Sequence, residues 1–263
     1  MTLPYRIVAT DLDGTIVRTD GTISDRTRDA LRLAQDSGAA VIFVTGRPPR
    51  WMQPISEATG HTGLAVCANG AILYDLGEER IISELALQPE DLVSVVERLL
   101  EALPGVAFAV ERSGVLSHEP GYVPSWDDDQ VTVLPRAELL VLPATKLLVR
   151  SNGADPDAFL ASAQEALGES VSMTRSSVDE LLEISAAGVT KAFGLERFAR
   201  THGMGPADVI AFGDMPNDLP MLAWAGHPVA VANAHPEVLA IAAEVTASND
   251  DDGVAQVLER LFG

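Results

Sequence analysis

The sequence predicts an α/β protein, a doubly wound parallel sheet interrupted midway by an inserted α+β segment. Three observations predict it. Short apolar runs alternate with amphipathic helical stretches near the N-terminus, the same alternation resumes near the C-terminus, and between about residues 84 and 187 the pattern changes.

The first apolar run is Ile7 to Thr10, followed by a helical stretch from Ser24 to Asp36. Ser24 is the expected N-cap, Ala30, Leu31 and Ala34 share one side, and Gly38 marks the stop. Ala39 to Thr45 is the next strand; Val41 to Val44 is apolar on both faces, as a strand covered by helices on each side must be. A helix over about Pro49 to Ala58 and a strand over Leu64 to Ala68 complete a βαβαβ unit. The wiring resumes with a helix from about Lys191 to His202, a strand at Asp208 to Phe212, a helix at about Asn217 to Ala225 and a strand at Pro228 to Val231. Residues 1–83 and 188–263 therefore read as one discontinuous core domain, and 84–187 as an inserted domain. In the insertion, helices at Pro89 to Ala102 and Pro156 to Leu167 are interspersed with strands at Val106 to Val110, Lys146 to Arg150, Val171 to Thr174 and Leu181 to Ser185. The least regular part, Ser113 to Pro135, carries the acidic triplet Asp127-Asp128-Asp129 and reads as loop or edge.

Composition narrows the function classes. With 18 Lys and Arg against 38 Asp and Glu, the formal net charge is -20, which repels nucleic acid and provides no basic stripe to hold it. No apolar stretch reaches the ~18 residues of a membrane span, and the N-terminal segment lacks a secretory signal, so a cytoplasmic protein is expected. The single cysteine, Cys67, lies in an apolar run and reads as a small buried hydrophobe. An acidic surface also opposes small anions at long range, so a phosphate site on this chain must carry local positive charge.

The residues with chemical potential fall at strand ends. Asp11 and Asp13 follow the first strand, where open α/β sheets form their crevices. Two acids so placed call for a cation, which keeps Asp11 ionised and nucleophilic, while Asp13 can give a proton to a leaving oxygen and later take one from water. Gly14 frees the turn, and Thr15 is a candidate phosphate donor. A calcium loop fails, because Thr15 and Ile16 stand where the next acid and the required Gly belong. Thr45, Gly46 and Arg47 follow the second strand and offer a hydroxyl, a close backbone approach and a forked donor for an anion. Lys191 opens a helix that Thr190 can cap; a cation is unfavourable there, which suits a Lys used to neutralise a phosphate and Asp11. Gly213 to Asp218 follows another strand, with Asp214 as a metal ligand, Asn217 as a partner of the phosphate or of Lys191, and Asp218 either on the metal or orienting Lys191.

In this order the residues resemble the four motifs of the haloacid dehalogenase superfamily: Asp11-Leu12-Asp13-Gly14-Thr15, Thr45-Gly46-Arg47, Lys191, and Gly213-Asp214 to Asn217-Asp218. The insertion, together with Asn69-Gly70-Ala71 and Met221, resembles the Cof-like branch with its type IIB cap. The resemblance implies a Rossmann-like core, an aspartyl-phosphate on Asp11, Asp13 as general acid and base, and Mg²⁺ held by Asp11, the Asp13 backbone carbonyl, Asp214 and waters. It implies Asn69 beside the phosphate and a small phosphorylated metabolite, such as a sugar phosphate, as substrate. Superfamily ATPases carry Thr where this chain has Asp13, so hydrolysis is expected. A sugar phosphomutase and a noncatalytic phosphate-binding module are the competing readings. Within the insertion, His118, Glu119, Tyr122 and Arg112 are candidate substrate contacts, with packing as their ordinary alternative.

Overall fold

The computed structural model describes residues 3–124, 131–151, 155–175 and 181–263; the acidic triplet Asp127 to Asp129 lies outside them. Two compact units divide the chain, 1–83 with 190–263, and 84–189.

The first unit begins with β1 (Ile7–Thr10), α1 (Asp25–Asp36), β2 (Ala40–Val44), α2 (Gln53–Thr59), β3 (Leu64–Cys67), β4 (Ile72–Asp75) and β5 (Arg80–Glu84). The second contains α3 (Pro89–Ala102), β6 (Ala107–Arg112), β7 (Val115–His118), β8 (Thr132–Val133), α4 (Arg136–Leu139), β9 (Lys146–Arg150), α5 (Pro156–Leu167), β10 (Val171–Arg175) and β11 (Leu181–Ala186). The chain then returns to the first unit with α6 (Lys191–Thr201), β12 (Val209–Gly213), α7 (Leu219–Trp224), β13 (His227–Ala230), α8 (Pro236–Ile241), β14 (Glu244–Val245) and α9 (Gly253–Phe262).

The core sheet has the order β14-β13-β12-β1-β2-β3-β4-β5, parallel from β14 to β3, with β4 antiparallel to β3. From β1 the chain winds one way through β2 and β3, and after the insertion the other way through β12 and β13. This reversal creates a switch point at the carboxyl ends of β1 and β12. Ile7, Val8 and Ala9, Val41 to Val44, and Val209 to Phe212 are all buried, as central strands covered on both faces require. In α1 the Ser24 hydroxyl accepts from the Thr27 N–H at 3.0 Å, and Thr27, Ala30, Leu31 and Ala34 form the buried face.

The insertion is a six-stranded sheet, β10-β11-β9-β6-β7-β8. Leu92, Val95 and Leu99 of α3 and Phe159 of α5 bury one face with Phe108, Leu147 and Ile184 of the strands. The stretch from Ser113 to Pro135 supplies β7 and the edge strand β8.

Local departures from the sequence reading trace to proline and to edge strands. The stretch after Pro48 is a 3₁₀ turn, Pro49–Trp51, followed by α2, because Pro54 has no N–H for the Arg50 carbonyl. Pro220 divides the helix after β12 in the same way, into Pro216–Asp218 and α7. β4 and β5 extend the sheet beyond the last strand read in that half; both are half-exposed and lack an uninterrupted apolar signal. Among the described residues no helix is long and apolar enough to cross a membrane.

Candidate active site

Asp11 leaves β1 with its N–H donating to the Phe212 carbonyl at 3.0 Å, which docks it beside the end of β12. The chain then turns at Gly14, whose φ is +76°. A Cβ on Gly14 would stand 2.3 Å from Asp214 Oδ2, so glycine is needed here for close approach as well as for its dihedral. Thr15, read as a phosphate donor, is buried and donates its hydroxyl to Asp214 Oδ1 at 3.1 Å. It braces Asp214, a contact that depends on the two strand ends being neighbours.

Asp11, Asp214 and Asp218 are buried and bring one carboxylate oxygen each to within 4.8 Å of one another. Lys191 Nζ donates to Asp11 Oδ1 and to Asp218 Oδ1, both at 2.6 Å. Lys191 reaches them because Thr190 caps α6, its hydroxyl accepting from the Phe193 N–H at 3.2 Å. The other Asp218 oxygen accepts the N–H groups of Asp214 and Met215, each at 3.1 Å. Both Asp218 oxygens are therefore engaged within the protein.

Asp13 stands apart from this cluster. Its carboxylate takes a bidentate pair from Arg47, Nε to Oδ2 at 2.8 Å and Nη2 to Oδ1 at 2.5 Å. Arg47, read from sequence as a donor for a substrate anion, thus has an internal partner. The Asn69 N–H donates to the Thr45 carbonyl at 3.0 Å, and Asn69 adopts a left-handed conformation, φ 54°. Gly46 lies against Asn69 Oδ1, which also accepts from Asn217 Nδ2 at 3.2 Å. Thr45, Gly46, Asn69 and Asn217 thereby meet on one side of the strand ends, and Asn217 contacts Asn69 where the sequence reading had it on the phosphate or on Lys191. In the inserted unit His118, Glu119 and Tyr122 are buried; Glu119 takes Arg136 and the Phe108 N–H, and Arg112 donates to the Pro143 carbonyl. These are packing and bracing contacts within that unit.

Two bracing residues escaped the sequence reading. Asn233 Nδ2 donates to the Gly14 carbonyl at 2.8 Å, and Asn233 Oδ1 accepts the Asn249 N–H at 3.0 Å. Asn233 follows β13, so the rule that picks out residues beyond a strand's carboxyl end also reaches it.

Burial raises the Asp11 carboxyl well above its ordinary range; Lys191 opposes this, and Asp218 and Asp214 add to it. Burial, then Asp218, pushes Asp214 up to about 6 against the pull of Lys191. Burial works against the Lys191 ammonium, but Asp11 and Asp218 outweigh it and raise its pKa. One ammonium among three buried carboxylates leaves negative charge uncompensated. A site made of hard oxygen donors with that excess fits a divalent cation such as Mg²⁺.

A buried carboxylate at a switch point, a buried lysine and an acidic pair on the neighbouring loop suit a phosphoryl-transfer class built on this sheet. The chain belongs to the haloacid dehalogenase-like hydrolases, whose family model matches residues 8–258, and it is a phosphatase of the Cof-like branch. It is 31% identical over 274 residues to 5-amino-6-(5-phospho-D-ribitylamino)uracil phosphatase YitU of Bacillus subtilis, covering 99% of this chain and 98% of that protein. It is 26% identical to pyridoxal phosphate phosphatase YbhA of Escherichia coli, covering 96% and 97%. Among solved structures, the phosphatase BT1666 of Bacteroides thetaiotaomicron aligns with a TM-score of 0.84 at 25% identity, covering 98% of this chain and 95% of that one.

Proposed function

We propose that this phosphatase requires Mg²⁺ and hydrolyses small phosphate monoesters, a sugar phosphate or a metabolite of similar size, through an aspartyl-phosphate on Asp11. The observation that carries the reading is the buried Lys191 ammonium, 2.6 Å from both Asp11 and Asp218. It holds Asp11 in place and offsets part of the charge of the buried carboxylates; a bound cation would have to neutralise the rest before a chain of net charge -20 receives an anion. Asp11 attacks phosphorus, the bond to the leaving oxygen breaks, and Asp13 gives that oxygen its proton. Asp13 then takes a proton from water as the water attacks the acyl phosphate, releasing phosphate and restoring Asp11. Thr45, Gly46, Asn69 and Asn217 face the phosphoryl oxygens, with Arg47 reaching the same anion from its place on Asp13.

Asp11, Asp214 and the Asp13 backbone carbonyl would hold the metal, whose chemistry is to neutralise the carboxylates and polarise the phosphoryl group. Asp218 is the positioning residue for Lys191, since its oxygens are already occupied. In this reading 1–83 with 188–263 form the catalytic core and 84–187 the cap that selects the leaving group. The acidic surface and the single cysteine support a cytoplasmic enzyme of small metabolites over a nucleic-acid partner.

The test is phosphate release from a panel of phosphorylated metabolites, with Asp11→Asn as the blank. Turnover by Asp11→Asn falls at least ~10³-fold, roughly 4 kcal/mol of barrier, while its circular dichroism and melting stay near those of the parent. Chelation brings the parent down to the blank, and Mg²⁺ restores it. Near-normal turnover by Asp11→Asn removes the nucleophile assignment, and indifference to chelation removes the metal.

A further inference from the structure

The core unit carries a second concave site that the phosphate chemistry does not use. A cavity of about 450 Å³ lies between the sheet at β3, β4 and β5 and one face of α6, within the size range of small-molecule pockets. Its walls are Leu64, Val66, Ile72 and Ile82 from the strands and Phe198 from the helix. Gly194 brings the helix close to the sheet: a Cβ there would lie 2.4 Å from Val66 Cγ1 and 3.0 Å from Gly70 Cα. Gly194, Arg197, Phe198, Thr201 and His202 recur at helical spacing, so a single helix face supplies both the apolar wall and the polar rim.

The rim indicates what the pocket takes. Arg197 is exposed and makes no hydrogen bond or ion pair among the described residues; its guanidinium carbon lies over the Phe193 ring, 5.4 Å from the centroid. This is notable in a chain with 38 acidic and 18 basic residues, and the neighbouring Arg200 pairs with Glu196 at 2.7 Å. An apolar cavity with an unpaired guanidinium at its edge complements an apolar body bearing one anionic group. We propose that this cavity is a binding site for a small amphiphilic anion, an aromatic or branched apolar group carrying one carboxylate or sulfonate. Asp11, Asp214 and Lys191 do not line it, so occupancy is independent of the catalytic carboxylates.

The probe is 8-anilinonaphthalene-1-sulfonate, titrated by fluorescence against the folded full-length chain, with N-phenyl-1-naphthylamine as its uncharged counterpart. Saturable binding of one equivalent is expected, retained in Asp11→Asn, and therefore separable from success or failure of the phosphatase mechanism. Arg197→Glu weakens the sulfonate at least ~10-fold and leaves the uncharged probe unchanged. Ile82→Glu, at a residue 41% exposed and so tolerant of charge, weakens both. Absent or unsaturable binding, or affinities that neither variant changes, overturns the proposal.

Discussion

At the scale of single residues, Lys191 carries the most electrostatic responsibility. It is buried with two carboxylates at 2.6 Å, and removing one partner from such a group leaves unpaired charge in a dry site. Lys191→Met is expected to cost ~3–5 kcal/mol in urea unfolding. A variant as stable as the parent would show that Asp11 and Asp218 do not depend on the ammonium. His61 sets a second expectation. It is 2% exposed, its Nδ1 lies 2.8 Å from the Gln35 amide nitrogen, and burial lowers its pKa to about 4. Above pH ~6.5 the imidazole is neutral in both folded and unfolded chains and contributes no pH dependence. Below that the unfolded chain takes up a proton that the folded one refuses, so stability falls by about 3 kcal/mol as pH drops through the window from ~6.5 to ~4. His61→Gln is expected to flatten the pH dependence of unfolding free energy in that window by one proton. Because parent and variant share Asp11 and Asp214, the opposing slope from those acids cancels in the comparison; identical slopes would contradict the assignment.

At the scale of elements, the seating of α6 positions Lys191, and two local preferences compete there. Alanine favours a helix over glycine by ~1 kcal/mol. At Gly194 the added Cβ meets Val66 Cγ1 at 2.4 Å, and overpacking of that kind costs ~1–3 kcal/mol. Packing wins, so Gly194→Ala is expected to lower the melting temperature, and a double-mutant cycle with Val66→Ala should show favourable coupling. A rise in melting temperature with Gly194→Ala would mean that α6 shifts freely. Element boundaries were legible wherever a cap, a periodic face or a long apolar run marked them, as with Ser24 before α1 and Val41 to Val44 in β2. They were poorly legible where proline divides a helical stretch into a 3₁₀ turn and a short helix, and in β4 and β5, whose half-exposed residues leave the pattern weak.

At the scale of the molecule, a net charge of -20 opposes an anionic substrate, while a lysine buried among carboxylates attracts only at short range. Raising ionic strength from ~0.01 to ~0.15 M shortens the screening length from ~30 to ~8 Å. With Mg²⁺ held constant, kcat/KM for a phosphate monoester is therefore expected to rise a few-fold over a KCl series; a fall would mean that local positive potential already dominates the approach. The doubly wound class, the interruption of the core, the strand-end positions of Asp11, Thr45 and Asp214 and the helix-start position of Lys191 were determined by the sequence alone. Hydrophobic periodicity and short-range turn chemistry specify those features within a few residues of chain. Only the tertiary structure decided that Arg47 pairs with Asp13, that Thr15 braces Asp214, that Asn233 reaches Gly14 across 219 residues, and that both oxygens of Asp218 are engaged within the protein. Each depends on distant strand ends meeting at the switch point, where burial removes water and makes carboxylates seek whichever donor the fold brings within reach.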